Sequence, residues 1–91
     1  MAVTVKVPTV LRKIMGGNDS IPMQSGTIDQ LIDGIEAQYP GVKAKLCDTD
    51  GKLRRFINIF VNGEDIRFLS GAATVVEDGA EVSIVPSIAG G

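Results

Sequence analysis

The residues best suited to chemistry in this chain stand at its C-terminal end, where Gly90 and Gly91 follow Ala89. Glycine lacks a Cβ atom, so these residues form the thinnest peptide that an enzyme's active site can admit. A free carboxylate is a poor electrophile, but ATP can activate it by forming an acyl-adenylate, and a glycine acyl group is the least hindered for that step. The pattern predicts that the carboxylate of Gly91 is a chemical handle.

The residues before this handle determine how far it can reach. Pro86 is expected to end the last strand, and five residues, 87–91, follow it. Fully extended, the six residues from Pro86 to Gly91 span about 20 Å at ~3.3 Å per residue. We therefore predict a flexible tail that enters another protein's active site, with an inert frayed terminus as the alternative.

The composition argues against a self-contained enzyme. The 91 residues include no histidine, which removes the usual general base near neutral pH and the commonest zinc ligand. The single cysteine, Cys47, allows neither an internal disulfide nor a cysteine-rich metal site. We predict a protein that is not itself an enzyme and has no catalytic residue, metal or cofactor of its own.

Charge and hydropathy narrow the partners and the location. Lys and Arg total 9 and Asp and Glu total 11, so a net charge of −2 gives no overall attraction to nucleic acid or anionic membranes. We find neither a signal-peptide pattern nor an apolar run of the roughly 18 residues that a membrane span needs. The expectation is a cytoplasmic protein with no nucleic-acid or membrane partner.

The clearest predicted element is a helix that begins after Thr27. The Thr27 hydroxyl and Gln30, three positions later, form a capping-box pattern. Apolar residues then recur with helical spacing, and Pro40-Gly41 is expected to end the helix. This apolar stripe, which predicts the main buried face of the domain, consists of Ile28, Leu31, Ile32 and Ile35.

Alternating residues predict strands over residues 3–7, 56–61 and 81–85. We also expect Val10, Leu11 and Ile14 to continue the first strand past a bend, and residues 20–25 to return as its hairpin partner. Asn62-Gly63 is a strong hairpin signal, after which Ile66 and Phe68 are expected on the return strand. Residues 42–47 are predicted to contain a short helical turn.

The order of hairpin, helix, hairpin and final strand predicts an α+β fold of the β-grasp (ubiquitin-like) type. The first and last strands are both rich in valine, and we expect them to pair in parallel at the centre of a mixed sheet, with one main helix across one face. The predicted organisation is a β-grasp domain over residues 1–86 and a flexible Gly-Gly tail over residues 87–91.

At this point the chain resembles the ubiquitin-like sulfur carriers of the MoaD/ThiS family. The resemblance spans the whole chain and is most specific at its end. Within the family, it is strongest with the carriers that serve cysteine synthesis. The segments that carry it are residues 7–12, 56–62, 62–68, 77–82 and 85–91, the last reading Val-Pro-Ser-Ile-Ala-Gly-Gly.

The resemblance implies a chemistry and a set of partners. An ATP-dependent adenylating and sulfurylating enzyme would activate the carboxylate of Gly91 and convert it to a thiocarboxylate, with Gly90 and Ala89 giving access. The sulfur would pass to a pyridoxal-phosphate-dependent cysteine synthase, whose cofactor belongs to that partner, and a metalloprotease would release the product. Two other functions stay open: the small subunit of a molybdopterin synthase, and a covalent modifier that acylates lysines.

Three further features have competing interpretations. Phe60 and Val85 are expected on the sheet face opposite the helix and, with Ile88, are candidates for docking the adenylating enzyme. Five basic residues between positions 43 and 55 are interpreted as a solvated loop rather than a binding patch. Cys47 has no histidine beside it, which favours an incidental thiol over a sulfur relay.

Overall fold

The computed structural model describes residues 2–86, which form a five-stranded sheet, a small two-stranded sheet and two α-helices. The strands and helices are β1 (Val3–Lys6), β2 (Ser20–Met23), β3 (Gly26–Thr27), α1 (Ile28–Gln38), α2 (Val42–Leu46), β4 (Ile57–Val61), β5 (Glu64–Asp65), β6 (Val75–Val76) and β7 (Glu81–Pro86).

The order of the main sheet is β2-β1-β7-β4-β5. The first and last strands pair in parallel at its centre, with Val5 opposite Val82, and every other pairing is antiparallel. This arrangement confirms the predicted β-grasp fold. The short strands β3 and β6 form the second sheet beside the start of α1.

Helix α1 is built as its sequence predicts. The backbone N–H of Gln30 donates to Thr27 Oγ1 over 3.2 Å, and Gln30 Oε1 accepts from the Thr27 N–H over 2.9 Å, which completes the capping box. The helix ends before Pro40, after Gln38. Its apolar stripe is fully buried and packs on one face of the sheet, as shown by Ile28, Leu31, Ile32 and Ile35.

The segment after β1 differs from the prediction. Val10, Leu11 and Ile14 do not continue the strand, because Thr9–Met15 forms a 3₁₀ helix. Pro8 lacks an N–H and cannot extend a sheet ladder, and its carbonyl instead accepts from the Leu11 N–H over 3.0 Å. Leu11 and Met15 enter the core, whereas Val10 and Ile14 remain exposed. The predicted hairpin pairing of β1 with β2 is confirmed, but this 3₁₀ helix connects the two strands.

The return strand after the Asn62-Gly63 turn is also shorter than predicted. Only Glu64–Asp65 pairs with β4, and Ile66–Phe68 leaves the sheet as a 3₁₀ turn, so the prediction for Ile66 and Phe68 is wrong. The Asp65 carboxylate accepts from the Arg67 N–H over 2.9 Å and thereby caps this turn. The turn directs Ile66 into the core and leaves Phe68 87% exposed.

The carboxylate of Glu36 stabilises the loop that joins the two helices. Glu36, on α1, accepts the backbone N–H of Lys43 over 2.8 Å and that of Gly41 over 3.1 Å. These two hydrogen bonds favour the ionised form and hold the pKa of the Glu36 carboxyl below its usual value. Glu36 therefore couples α1 to the predicted short helical turn, which is confirmed as α2.

We expect this coupling to make stability depend on pH. Because the folded-state pKa of Glu36 is depressed, its contribution is present above the unfolded pKa of about 4.3 and is lost as the pH falls through the folded-state value. Thermal melts of Glu36→Gln at pH 7 should give a lower Tm than the parent chain, and the difference should shrink on acidification toward pH 3. A Tm difference that does not change with pH would contradict this role.

Both edges of the main sheet are protected. The Val7 N–H donates to the Asp19 carbonyl over 2.9 Å. Along an antiparallel pair, every second residue bonds to the neighbouring strand, so Ile21 bonds to β1 whereas the backbone of Pro22 faces the free edge. Pro22 has no N–H to offer a further strand. At the opposite edge, β5 has only two residues.

Candidate functional site: the open sheet face and the start of the tail

The face of the sheet opposite α1 carries the predicted docking residues. Ile59 and Ile84 point toward the helix and are 2% and 5% exposed. Side chains alternate along a strand, so Phe60 and Val85 point the other way, where Phe60 is half-buried and Val85 is 43% exposed. The structure thus brings both residues onto the open face, as the alternation predicts. Their docking role stays a prediction.

Polar side chains surround these two apolar residues. Phe60 lies between Ser83 on β7 and Asp65 on β5, and Val85 lies opposite Asn58. Farther across the face, Lys6 and Glu81 approach to 3.9 Å. A small apolar centre with a polar rim is the composition typical of a transient protein interface.

Strand β7 ends beside the start of β4. Pro86 pairs with Ile57, whereas the pairing of β7 with β1 ends three residues earlier, at Ser83. The Asn62 N–H donates to the Glu81 carbonyl, and hydrogen-bonded pairs alternate with non-bonded pairs along an antiparallel ladder. Counting from this bond, Pro86 and Ile57 form a non-bonded pair, so the nitrogen of Pro86 faces away from β4. On that side β1 has already ended. Proline therefore costs the sheet no hydrogen bond there. Residues 87–91, and with them the predicted site residues Ile88, Ala89, Gly90 and Gly91, lie outside the described residues.

Arg67 is a residue of this region to which the sequence assigns no role. Its guanidinium donates to the side-chain oxygen of Asn58 and to the carbonyls of Arg55 and Ile57, at 3.1 and 3.0 Å. It therefore occupies the sheet edge where β5 stops and fixes the start of β4, next to the end of β7. The Asp65-Ile66-Arg67 turn is the local signal that could have placed it there.

Cys47 is poorly placed for sulfur chemistry. Its side chain is 5% exposed at the end of α2, and burial raises the pKa of the Cys47 thiol, with the nearby Lys43 only partly opposing that effect. A thiol whose pKa is raised carries little nucleophilic thiolate at neutral pH. The geometry supports the interpretation of Cys47 as an incidental core thiol.

We expect alkylation to report this burial. In the folded protein at pH 7, iodoacetamide should modify Cys47 at least about tenfold more slowly than in protein unfolded with urea, because both burial and the raised pKa suppress the thiolate. Mass spectrometry of the time course measures the rate. Equal rates in the two states would show that the thiol is available for chemistry.

Two negative findings concern residues 2–86. No helix in this part of the chain is long and apolar enough to cross a membrane. Over the same residues, no group of three or more Cys, Asp or Glu side chains is arranged to hold a metal ion.

Comparisons with known proteins bear on the whole chain. Residues 5–91 match the ThiS family. The chain is 46% identical over 93 residues to the sulfur carrier protein CysO of Mycobacterium tuberculosis, with both proteins covered completely. It is also 35% identical over 65 residues to small archaeal modifier protein 3 of Haloferax volcanii, covering 71% of this chain and 70% of that protein.

A solved structure extends the similarity to three dimensions. In the crystal structure of the BexX/CysO complex of Amycolatopsis orientalis, one chain matches this protein with a TM-score of 0.91 and 44% identity. The match covers 99% of this chain and 100% of that one. The β-grasp architecture is thus shared along its whole length with a protein crystallised in a complex.

Proposed function

The chain belongs to the ThiS family, and from this premise we propose that it is a sulfur carrier protein whose reactive group is the carboxylate of Gly91. In this proposal the chain catalyses nothing itself and is a co-substrate of its partner enzymes. Most of its residues form a rigid body that partners recognise, and its last residues deliver the reactive atom.

The proposed chemistry has two steps on the carrier. A carboxylate oxygen of Gly91 attacks the α-phosphorus of ATP, pyrophosphate leaves, and an acyl-adenylate forms. A sulfide sulfur then attacks the acyl carbon and AMP leaves, which gives a thiocarboxylate. Its sulfur is polarisable and negatively charged, so it is the nucleophile that the carrier delivers to an acceptor.

The position of Pro86 is the observation that carries this proposal. It is the last paired residue of β7, at the margin of the sheet, and five residues of the sequence, 87–91, follow it. About 20 Å of extended chain is enough to bring Gly91 into a neighbouring active site. The alignment to the ThiS family, which runs through residue 91, supports the same assignment.

The proposed partners are those that the resemblance to the sulfur carriers of cysteine synthesis implies. We propose an ATP-dependent adenylating and sulfurylating enzyme as the activator and a pyridoxal-phosphate-dependent cysteine synthase as the acceptor's enzyme, with a metalloprotease releasing the product. The identity to CysO over the complete chain supports this pathway over the molybdopterin alternative.

Intact-mass spectrometry tests the proposed function directly. The purified chain is incubated with the adenylating enzyme of the same genome, ATP and sulfide. The expected result is a mass increase equal to the exchange of one oxygen for sulfur, located on the C-terminal peptide by fragmentation. An unchanged mass, while a CysO control is converted by its own enzyme, would reject the proposal.

The docking role of the open face makes a separate kinetic prediction. Phe60→Ala should raise the carrier concentration needed for half-maximal adenylation about tenfold and leave kcat unchanged, because it removes apolar contact area without touching the tail. Val75→Ala truncates another exposed apolar side chain, on the second sheet, and should change neither parameter. Equal effects of the two variants would contradict docking through the open face.

A second function is favoured by one comparison. The 35% identity to small archaeal modifier protein 3 supports a covalent modifier as the alternative. An activated Gly91 that is attacked by a lysine amine instead of sulfide would form an amide bond. Protein adducts of higher mass in cell extracts, each with a branched Gly-Gly remnant on lysine after digestion, would favour this alternative.

A further inference from the structure

The charges of this protein are separated between the two ends of its sheet. Strands β1 and β7 finish, and β2 and β4 begin, at one end, which we call the exit end because the last strand, β7, finishes there at Pro86. The turn after β5 returns to this end as well, since Arg67 donates to the carbonyls of Arg55 and Ile57. Helix α2 also belongs to it, packed against the 3₁₀ helix that follows β1.

All four arginines of the chain lie at the exit end. Arg12 stands in the 3₁₀ helix after β1, Arg54 and Arg55 precede β4, and Arg67 follows β5. Lys13 adjoins the first of them. The same end also holds other charged residues of both signs: Lys43, Lys45, Lys52, Asp19, Glu36, Asp48 and Asp50. We call five of these cations the basic pole: Arg12, Lys13, Arg54, Arg55 and Arg67.

The acidic residues at the other end form the opposite pole. The Asn62-Gly63 turn and the turn before β7 lie together there, joined by the bond from the Asn62 N–H to the Glu81 carbonyl, 2.8 Å long. Asp29 stands at the start of α1, also at this end. The acidic residues around the two turns are Glu64, Glu77, Asp78 and Glu81.

None of the five cations of the basic pole is in an ion pair within the described part of the chain. The two ion pairs of residues 2–86 join Lys6 to Glu81 and Lys43 to Asp33, and neither includes an arginine. Three of the four arginines donate to backbone carbonyls instead: Arg12 to Val7 at 3.3 Å, Arg54 to Ala44 at 3.1 Å, and Arg67 to Arg55 and Ile57. A carbonyl holds a guanidinium in place without neutralising it.

Exposed apolar side chains stand beside these cations. Phe56 follows Arg55 and is 50% exposed, and Phe68 follows Arg67 and is 87% exposed. Val10 and Ile14 flank Arg12 and Lys13 in the same way. Aliphatic and aromatic groups among cations suit a protein surface with carboxylates and apolar patches better than a nucleic-acid backbone, which offers phosphates but little apolar area.

We propose that the basic pole recognises an acidic surface around the active-site entrance of the enzyme that receives the tail. This inference rests on the proposed function, since it takes that enzyme to be the adenylating partner. The acidic residues and the basic pole lie at opposite ends of the sheet, so the electric field of such a partner rotates the carrier until the exit end faces the enzyme. Electrostatic steering of this kind increases the association rate and weakens as salt is added.

Association kinetics with the adenylating enzyme of the same genome test the proposal. The variant pair Lys13→Gln and Arg55→Gln, combined in one chain, removes two exposed cations whose side chains make no hydrogen bond within residues 2–86. At low ionic strength it should reduce the association rate constant roughly threefold to tenfold, and the difference should vanish at high salt. Circular dichroism verifies that the variant is folded.

The matched control places the same change of net charge at the other end. Gln24→Glu and Gln30→Glu, combined, also make the chain more negative by two charges, and glutamate at position 30 preserves the capping box. This control should associate at the parental rate. Equal losses for both double variants, or no salt dependence in the parent, would overturn the proposal.

A measurement without the enzyme separates this inference from the proposed function. Titration of the 15N-labelled chain with a hexaglutamate peptide should shift amide signals around residues 12–13, 54–56 and 67, and should do so equally when Gly91 is deleted. Shifts confined to other regions would overturn the inference even if thiocarboxylate forms, as would tighter binding of duplex DNA than of the peptide at physiological salt. Failure of the thiocarboxylate assay alone would reject the proposed function and leave this result standing.

Discussion

Deletion of Gly91 should abolish thiocarboxylate formation and leave the thermal stability of the protein unchanged. The contacts among residues 2–86 do not involve Gly91, so its removal takes no described interaction away from the fold. The loss of activity should be complete, because the new terminal carboxylate lies one residue, about 3.3 Å, short of the reacting position. Intact-mass analysis and a thermal melt of the same sample measure both results.

Two further variants distinguish the effect of the position of the terminal carboxylate from the effect of the width of the tail. Adding one alanine after Gly91 moves the carboxylate beyond its position and should also prevent sulfur transfer. Gly90→Ala keeps the carboxylate on Gly91 but thickens the tail, and it should slow activation by about tenfold to a hundredfold, since small misplacements of reacting groups have effects of that size. Sulfur transfer that continues at the parental rate in the extended chain would show that the terminal carboxylate is not the reactive group.

Replacement of Ile35 by alanine should be among the most destabilising single truncations. Ile35 is 2% exposed on the face of α1 that packs against the sheet, so alanine leaves a cavity and is expected to cost about 2–5 kcal/mol. The free energy of unfolding of a chain of this length is roughly 5–14 kcal/mol, at about 0.05–0.15 kcal/mol per residue. Urea denaturation should therefore show a substantial loss of unfolding free energy at an unchanged m-value.

A graded series provides the control for this prediction. Ile35→Val removes one methyl group and should cost about 0.5–1.5 kcal/mol. Gln38→Ala alters an exposed side chain at the end of the same helix, whose Nε2 makes one weak contact, to Met23 Sδ at 3.7 Å, and it should change stability by no more than about 0.5 kcal/mol. If Ile35→Ala cost no more than Gln38→Ala, the helix would not form the main contact of the core.

Local signals explain which parts of the fold are predictable from sequence. The capping box of Thr27 and Gln30 acts within one helical turn, and alternation along β4 and β7 reports their buried and open faces directly. Both predictions are confirmed, and with them the placement of Phe60 and Val85 on the open face. The prediction that Val10, Leu11 and Ile14 continue the strand is wrong because Pro8 cannot extend the ladder and its carbonyl closes the first turn of a 3₁₀ helix instead.

The remaining part of the candidate site depends on contacts that are distant in sequence. Asp65 caps a turn that ends β5 early, and this competes with the pattern that favoured a longer strand. Arg67 then meets the carbonyls of Arg55 and Ile57, more than nine positions earlier, which no local pattern encodes. The charge separation cannot be predicted from composition either. The net charge of −2 does not show that cations and anions lie at opposite ends of the sheet, which depends on the order of the strands.

Pro22, at the free edge of β2, affects how copies of this protein associate when its concentration is high. An unprotected edge invites neighbouring copies to add their own strands, and such stacking grows into fibrils as the concentration rises. Pro22 denies an incoming backbone its hydrogen-bond donor, and the two-residue β5 offers almost no template at the other side. Both edges of the main sheet therefore oppose strand addition by a second copy even when the protein is concentrated.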